Sequence, residues 1–385
     1  MSPEYRICTR CLMDTTDPEI QFDEMGVCNH CHDYDRLISQ RVLTGQAGLS
    51  YLETLVEQIK RDGVGKPYDC LMGVSGGVDS TYVAYVVKKK FGLRPLAIHM
   101  DNGWDSELAV KNIEETLKRL DIDLYTNVLN WEEFKDLQLA FLKASTPDSE
   151  IPSDHAIWAV IGDMAEKLKV RYILTGFNVR TETHLPRTWS QGHFDWKYIQ
   201  SVHKQFGRNK LKTFPHQGFV TYYRRLLSLS RVDILNYLDY NKQEAMQLLE
   251  NELGWRYYGG KHHESIYTRF YQGYILPAKF GYDKRRSHLS SQICSGELDR
   301  DAAIVELQRP AYAPSLQEDD REYVVKKLGL NDAEFDAIMK LPLKKFWDYP
   351  SYARIVEGPL LKGIYNGLRN VYRAAQQRRN RRQES

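Results

Sequence analysis

Apolar residues along this chain follow two periods. Short apolar runs occur at Cys70-Leu71-Met72, Pro95 to Met100 and, within Arg171 to Gly176, at Tyr172-Ile173-Leu174, and Leu124 to Val128 reads as a further strand. Between them, apolar positions recur every three or four residues. Short runs bounded by turn formers read as strands buried on both faces, and the longer period reads as amphipathic helix. The helices predicted this way are Leu37 to Asp62 (Leu49, Leu52, Leu55, Val56, Ile59), Thr81 to Lys90, Asp105 to Leu120 and Trp131 to Leu142. A further helix, capped by Ser153-Asp154, carries Ile157, Val160, Ile161 and Met164 on its stripe. Strands alternating with helices imply right-handed βαβ units and a parallel sheet covered on both faces. The site then belongs at the carboxyl ends of the strands, where Ser75, Asp101 and Gly176 all fall.

The first strand stops at Ser75-Gly76-Gly77-Val78-Asp79-Ser80, and a helix follows. A glycine turn between a strand and a helix N-terminus is an anion site. The glycines let the backbone approach, the amides point inward and the helix dipole favours negative charge. Ser75 and Ser80 add hydroxyl donors, and Asp79 adds a carboxylate suited to holding Mg²⁺ against phosphates. There is no Walker lysine and no G-x-G-x-x-G, so neither a P-loop nor a Rossmann dinucleotide site is indicated. Asp101, ending the second strand, is placed for a ribose or adenine contact, or is a simple turn aspartate.

Composition narrows the class. The 385 residues can form two or three domains, and a net charge of +2 argues against a dominant nucleic-acid footprint. No apolar run approaches the ~20 residues of a membrane span, and the N-terminus lacks signal-peptide character. Four of the six cysteines form Cys8-x-x-Cys11 and Cys28-x-x-Cys31, the spacing of a Cys₄ zinc knuckle. A redox dithiol and an iron–sulfur site are the alternatives, and a closed Cys₄ site leaves no open catalytic position. Thiols used this way place the chain in the reducing cytosol.

Beyond the sheet, Thr181 to Val220 is an aromatic, histidine-bearing insertion (including His184, Trp189 and His193) that reads as a substrate lid or an irregular loop. Gly259 to Ser265 and Lys279 to Ser291 set ionisable groups beside glycines and a run of three cations. Glu264 is a candidate general base, or a partner for Lys261. The stretch from Asp299 reads as helical and ends in a basic tail at Arg378, Arg379, Arg381 and Arg382.

Ser75 to Ser80 resembles the SGGxDS pyrophosphate loop of the PP-loop ATP pyrophosphatases, which cleave ATP between its α- and β-phosphates. Tyr223 to Leu238 resembles the late segment of that domain, a basic strand end before a helix capped by Ser230 and Asp233. Together with the Cys₄ pairs, Gly259 to Ser265 and Phe280 to Arg286, the loop resembles that of the N-acetyl sugar amidotransferases of bacterial surface-polysaccharide biosynthesis. The resemblance spans residues 5 to 350. It implies an α/β fold: a knuckle and linker (1–48), a parallel-sheet PP-loop (adenine nucleotide α-hydrolase-like) domain (49–250) and a largely helical C-terminal region contributing to the substrate site (251–385). It implies ATP, Mg²⁺ and structural zinc as cofactors, with Ser75, Gly76, Gly77, Asp79, Ser80, Asp101 and Gly176 at the nucleotide. Lys284 or Arg285 would stabilise the departing pyrophosphate.

The implied reaction converts an acetamido group of a nucleotide-activated diacetamido sugar into an acetamidino group through an adenylated amide. No Gly-x-Cys-x-Gly elbow and no N-terminal cysteine nucleophile is present, Cys70 is a strand residue, and Cys294 lacks an elbow's glycines. Ammonia is therefore expected from a partner glutaminase. A PP-loop tRNA-thiolation enzyme is the rival reading, and a non-enzymatic zinc-ribbon binding protein a third.

Overall fold

Cys70–Gly73 forms the central strand, β1, of a five-stranded sheet. Its partners are β2 (Pro95–Asp101), β3 (Asp123–Val128), β4 (Tyr172–Thr175) and β5 (Ser230–Asp233), in the order β3-β2-β1-β4-β5. All four pairings are parallel. The structure is a computed structural model and describes residues 4–260 and 263–356.

Alternate residues of the central strands feed two cores. Leu71, Leu96, Ile98 and Ile173 face one side and pack with Phe134, Phe141 and Ile161. Cys70, Met72, Ala97 and Leu174 face the other and pack with Leu52, Val56, Val83 and Leu117. Burial on both faces explains why these strands read as short apolar runs. β3, at the sheet edge, is mostly exposed.

The covering helices are α1 (Asn29–Arg41), α2 (Gly45–Asp62), α3 (Val78–Tyr85, extended by a widened turn to Lys90), α4 (Glu107–Leu120), α5 (Trp131–Ala144) and α6 (Ile151–Leu168). Three expectations are corrected. The single helix from Leu37 to Asp62 is two, because residues 42–44 leave helical geometry to bond the Asn236 carbonyl from the Leu43 amide (3.0 Å). α6 begins at Ile151, not after Ser153-Asp154, since Pro152 is tolerated in a first turn whose amides need no partner. Ser230 and Asp233 do not cap a helix. They bound β5, where Asp233 accepts from the Thr175 hydroxyl at 2.6 Å and from Arg231 at 2.7 Å.

The insertion is more regular than its sequence suggests. It contains the helix Trp196–Phe206, capped by Asp195, whose carboxylate accepts from the Tyr198 amide at 2.9 Å. Residues after 250 join the sheet's core, where Tyr267, Phe270, Tyr271 and Leu276 are buried with Leu71 and Phe134, and also form a smaller cluster of Leu289 and Ala303 with Leu12. The region is helical as far as Val356, and the basic tail lies outside the described residues, as does Lys261.

Candidate active site

The chain runs outward from β1 through β2 to β3, then returns to place β4 on the other side of β1. Strand order reverses there, which opens a crevice at the carboxyl ends of β1 and β4. Ser75-Gly76-Gly77 fills that position on β1, and Gly176 follows β4. Gly76 adopts φ +78°, and a Cβ on it would stand 2.6 Å from the Ala109 carbonyl oxygen. A Cβ on Gly176 would lie 3.0 Å from Asp79 C and Ser80 N. Both positions therefore require glycine, and the two turns are packed against one another through the first turn of α3.

Two of the loop's own hydrogen bonds are long. The Ser75 amide reaches Ser80 Oγ and the Gly77 amide reaches Ser75 Oγ, each at 3.4 Å. Such weak internal bonds are readily exchanged for phosphate oxygens. Trp255 Nε1 donates to the Gly76 carbonyl at 2.9 Å. Across the trans peptide, that turns the Gly77 N–H to the opposite side. Asp79, in the first turn of α3, accepts from the Tyr240 hydroxyl. Behind the loop, His99 of β2 lies 3.1 Å from the Val74 carbonyl through Nδ1 and 3.3 Å from Asp105 through Nε2. Burial pushes the His99 ring pKa down, but Asp105 outweighs it and holds the net value above the ordinary one, favouring a cation behind the phosphate loop.

The other candidates separate. Asp101 turns its carboxylate onto the Gly103 amide (2.8 Å), so it organises the turn after β2. Glu264 is brought in by backbone: its carbonyl accepts from the Ser106 amide at 2.8 Å, and Ser265 bridges Asp105. Burial, followed by the charges of Glu264 and Asp79, raises the Tyr258 phenol, which lines this side of Gly77. The C-terminal region thus reaches the loop at Trp255 and Tyr258, and the turn after β2 at Glu264.

The run of three cations points three ways, as successive residues at a helix start must. Arg285 pairs with Asp283 (2.7 Å) and donates to the Glu306, Leu307 and Arg309 carbonyls that end the helix Arg300–Gln308. Those acceptors, and no phosphate-loop group, hold its guanidinium, which corrects the pyrophosphate role expected of it. Arg286 binds Asp14 (3.1 Å) and the Leu12 carbonyl (3.0 Å) of the cysteine-bearing segment. Lys284 is buried, and its charge acts on Asp148. Burial pushes the Asp148 carboxyl up, yet Lys284 and His193 overcome that and hold it below the carboxylate range.

His193 joins this acidic cluster to a cavity. Its Nε2 lies 3.5 Å from Asp148, 3.4 Å from Asp154 and 2.9 Å from Ser190 Oγ. Ser190 and His193 also line an open cavity of about 310 Å³, with Arg187, Phe194, Phe219 and Tyr222. Asn102, just beyond β2, donates to Ser153 Oγ beside Asp154 at 3.2 Å. The cavity thereby adjoins the carboxyl end of the sheet. Its aromatic faces suit a ring-bearing ligand, with Arg187 and Asp195 among the described residues that line it. Sequence pattern alone could not find Tyr240, Trp255, His99 or Asp148, because each acquires its role only through a long-range contact. The histidine and aromatic content of the insertion was the one available signal for His193.

Cys8, Cys11, Cys28 and Cys31 converge in one buried cluster. Their sulfurs are separated by 3.9 Å (Cys8–Cys31), 3.7 Å (Cys11–Cys28) and 3.8 Å (Cys28–Cys31). A tetrahedral ion with ~2.3 Å metal–sulfur bonds gives an edge of about 3.8 Å, so the set fits one zinc ion and is also compatible with an iron–sulfur centre. Amides of Arg10, Cys11 and Cys28 point at Cys8 Sγ from 3.3–3.4 Å, as thiolate ligands require. The knuckle also anchors the C-terminal region: Arg300 donates to the Cys8 and Cys11 carbonyls, and the Leu12 amide to Ser290 Oγ (3.0 Å).

A parallel sheet in this order, with the SGGxDS loop at its reversal, defines a PP-loop fold carrying an N-terminal cysteine knuckle. Residues 264–362 match the family model of the LPS biosynthesis protein WbpG-like, C-terminal domain. An uncharacterized protein of Methanocaldococcus jannaschii, MJ1599, is 29% identical over 126 residues, covering 32% of this chain and 43% of that protein. The match therefore spans less than half of that relative. Among solved structures, NMN synthetase from Francisella tularensis is 13% identical (78% of this chain, 99% of that one, TM-score 0.36). The NH3-dependent NAD synthetase from Campylobacter jejuni is 14% identical (54% and 85%, TM-score 0.29). U34-tRNA thiolase NcsA from Methanococcus maripaludis is 12% identical (88% and 90%, TM-score 0.33). At such scores the fold assignment rests on the strand order and loop geometry themselves.

Proposed function

We propose that this chain is an ATP-dependent, AMP-forming amidotransferase acting on a nucleotide-activated diacetamido sugar. The observation that carries the reading is the glycine loop at the strand-order reversal, with Asp79 on the first helical turn and no Walker lysine. That geometry suits a departing pyrophosphate better than a transferred γ-phosphate. The WbpG-like C-terminal domain, from LPS biosynthesis, supports a surface-sugar substrate, and the aromatic cavity beside His193 is the place we assign to it.

In this scheme the acetamido oxygen attacks the α-phosphorus of ATP, and the α–β bridging bond breaks to release pyrophosphate. The loop amides, Ser75 and Ser80 hold the phosphates. Asp79 would hold a Mg²⁺ ion, which when bound would supply neutralisation of their charge. Ammonia then adds to the activated carbon, a base removes its proton, and AMP leaves with the former amide oxygen. Glu264 is our candidate for that base. Zinc fills the Cys₄ knuckle as a structural ion, a docked glutaminase supplies the ammonia, and the work is cytoplasmic. Among the described residues no helix is long and apolar enough to cross a membrane.

The test is incubation with MgATP, ammonium and a panel of nucleotide diacetamido sugars. AMP, pyrophosphate and a product with NH in place of O are expected, and glutamine alone should serve poorly without a second protein. ADP with orthophosphate, or ATP turnover stimulated by tRNA and not by sugar, would overturn the reading.

A further inference from the structure

Cys294 stands apart from the knuckle in sequence but not in space. Its sulfur lies 3.8 Å from Cys31 Sγ and 3.6 Å from His184 Nε2. The donor atoms of Cys31, His184 and Cys294 all lie within 4.8 Å of one another. For a tetrahedral ion with bonds of ~2.3 Å to sulfur and ~2.0–2.1 Å to nitrogen, ideal edges are about 3.8 Å between sulfurs and about 3.6 Å between sulfur and nitrogen. Both measured separations match.

The tautomer of His184 agrees. Ser291 Oγ donates to the Ser287 carbonyl at 3.2 Å, so its oxygen is left to accept from His184 Nδ1, 2.9 Å away. The Nδ1 proton is thereby fixed, and the lone pair sits on Nε2, directed at Cys294. A buried histidine held at one nitrogen by a hydroxyl and offering the other is the arrangement of a metal ligand. A nucleophilic Cys–His pair explains the cluster less well. Cys294 lies in the last turn of the helix Arg285–Ser295, where the dipole opposes a free thiolate.

We propose that the chain holds a second divalent metal position, formed by Cys31, His184 and Cys294, with Cys31 bridging to the ion of the Cys₄ knuckle. Three protein ligands leave its fourth position open, as in sites where an ion binds water or an exogenous ligand. Charge favours it: four thiolates around one divalent ion leave two negative charges in a buried cluster, and a second ion, bound with loss of the Cys294 proton, reduces that to one. The position also ties the insertion (His184), the C-terminal region (Cys294) and the knuckle to one another. It is independent of the reaction proposed above.

The experiment is metal analysis of the full-length protein reconstituted with zinc and dialysed. Wild type should retain two zinc ions per chain, and Cys294→Ala and His184→Ala one each. With cobalt, the second equivalent should add thiolate charge-transfer absorption that both variants lose. One ion per wild-type chain under zinc-replete conditions would overturn the proposal, as would iron with acid-labile sulfide. Two ions retained in folded variants would overturn it as well. Should a variant fail to fold, the wild-type stoichiometry and the second cobalt equivalent still decide.

Discussion

The phenol of Tyr240 donates its hydrogen to the carboxylate of Asp79, 161 positions earlier in the chain. Tyr240 is buried and Asp79 sits at the mouth of the phosphate loop, so a core residue aims the acid we assign to Mg²⁺. A hydrogen bond to a charged group is worth about 1.5–3 kcal/mol. Tyr240→Phe should therefore weaken MgATP binding by roughly 10- to 100-fold with the fold retained. Asp79→Ala should abolish the rise in melting temperature on adding MgATP. An undiminished rise in both variants would show that Asp79 does not hold the metal.

Gly176 meets the start of α3 without room for a methyl group. Gly176→Ala would press a Cβ against the backbone of Asp79 and Ser80, at an overpacking cost of about 1–3 kcal/mol. Because the displaced backbone is the loop helix itself, nucleotide affinity should fall together with stability. Gly92→Ala is the control: Gly92 also has positive φ (+63°), but its Cβ would meet nothing within 4 Å. It should cost stability through backbone strain alone and leave MgATP binding intact, as read by chemical denaturation and nucleotide titration.

Much of this arrangement could be read from sequence because its cause is local. The apolar runs at β1, β2 and β4 are buried on both faces, and the loop's glycines are required by its own turn and its near contacts. Where local and distant causes compete, sequence reading fails. Ser230 and Asp233 have the chemistry of a cap, but hydrogen bonding to β4 makes them a strand. Arg285 has the charge for a phosphate, but Asp283 and three helix-end carbonyls claim it. Cys294 lacks any motif, and only folding brings it to Cys31 and His184. The site residues that sequence pattern misses share this property: Tyr240, Trp255 and His99 touch the loop from other elements.

His155 makes stability depend on pH in a defined direction. It is fully buried, its Nδ1 lies 2.8 Å from the His193 carbonyl, and its Nε2 accepts from the Gln217 amide at 3.1 Å. Protonating Nε2 would break the second bond in a buried site, and burial pushes the ring down to about 4. Since the unfolded ring titrates near 6.5, the stabilising contribution is present above about 6.5 and is lost as pH falls towards 4. The loss over that window is about 3 kcal/mol. NMR should find this ring still neutral at pH 5. A ring that titrates near 6.5 in the folded protein would rule the account out.

Lys284 has two possible occupations, and they predict different losses. As a pyrophosphate contact it would matter to turnover and little to the fold. As the buried opposite charge acting on Asp148 it would matter first to stability, because Asp148 is itself buried and would keep the Glu150 amide, Ser190 and His193 but no lysine charge. Removing one member of a contacting buried ion pair costs about 3–5 kcal/mol, much of it the cost of stranding the other charge, and this sets the upper bound for a charge that acts from farther away. Lys284→Met should accordingly destabilise by up to that order. Lys284→Met with Asp148→Asn should recover most of the loss, because the stranded charge is gone while an amide oxygen still accepts from Ser190. Urea unfolding of the two single variants and the double variant gives the coupling directly. A Lys284→Met protein of unchanged stability that no longer releases pyrophosphate would return Lys284 to the phosphate site and refute the pairing with Asp148.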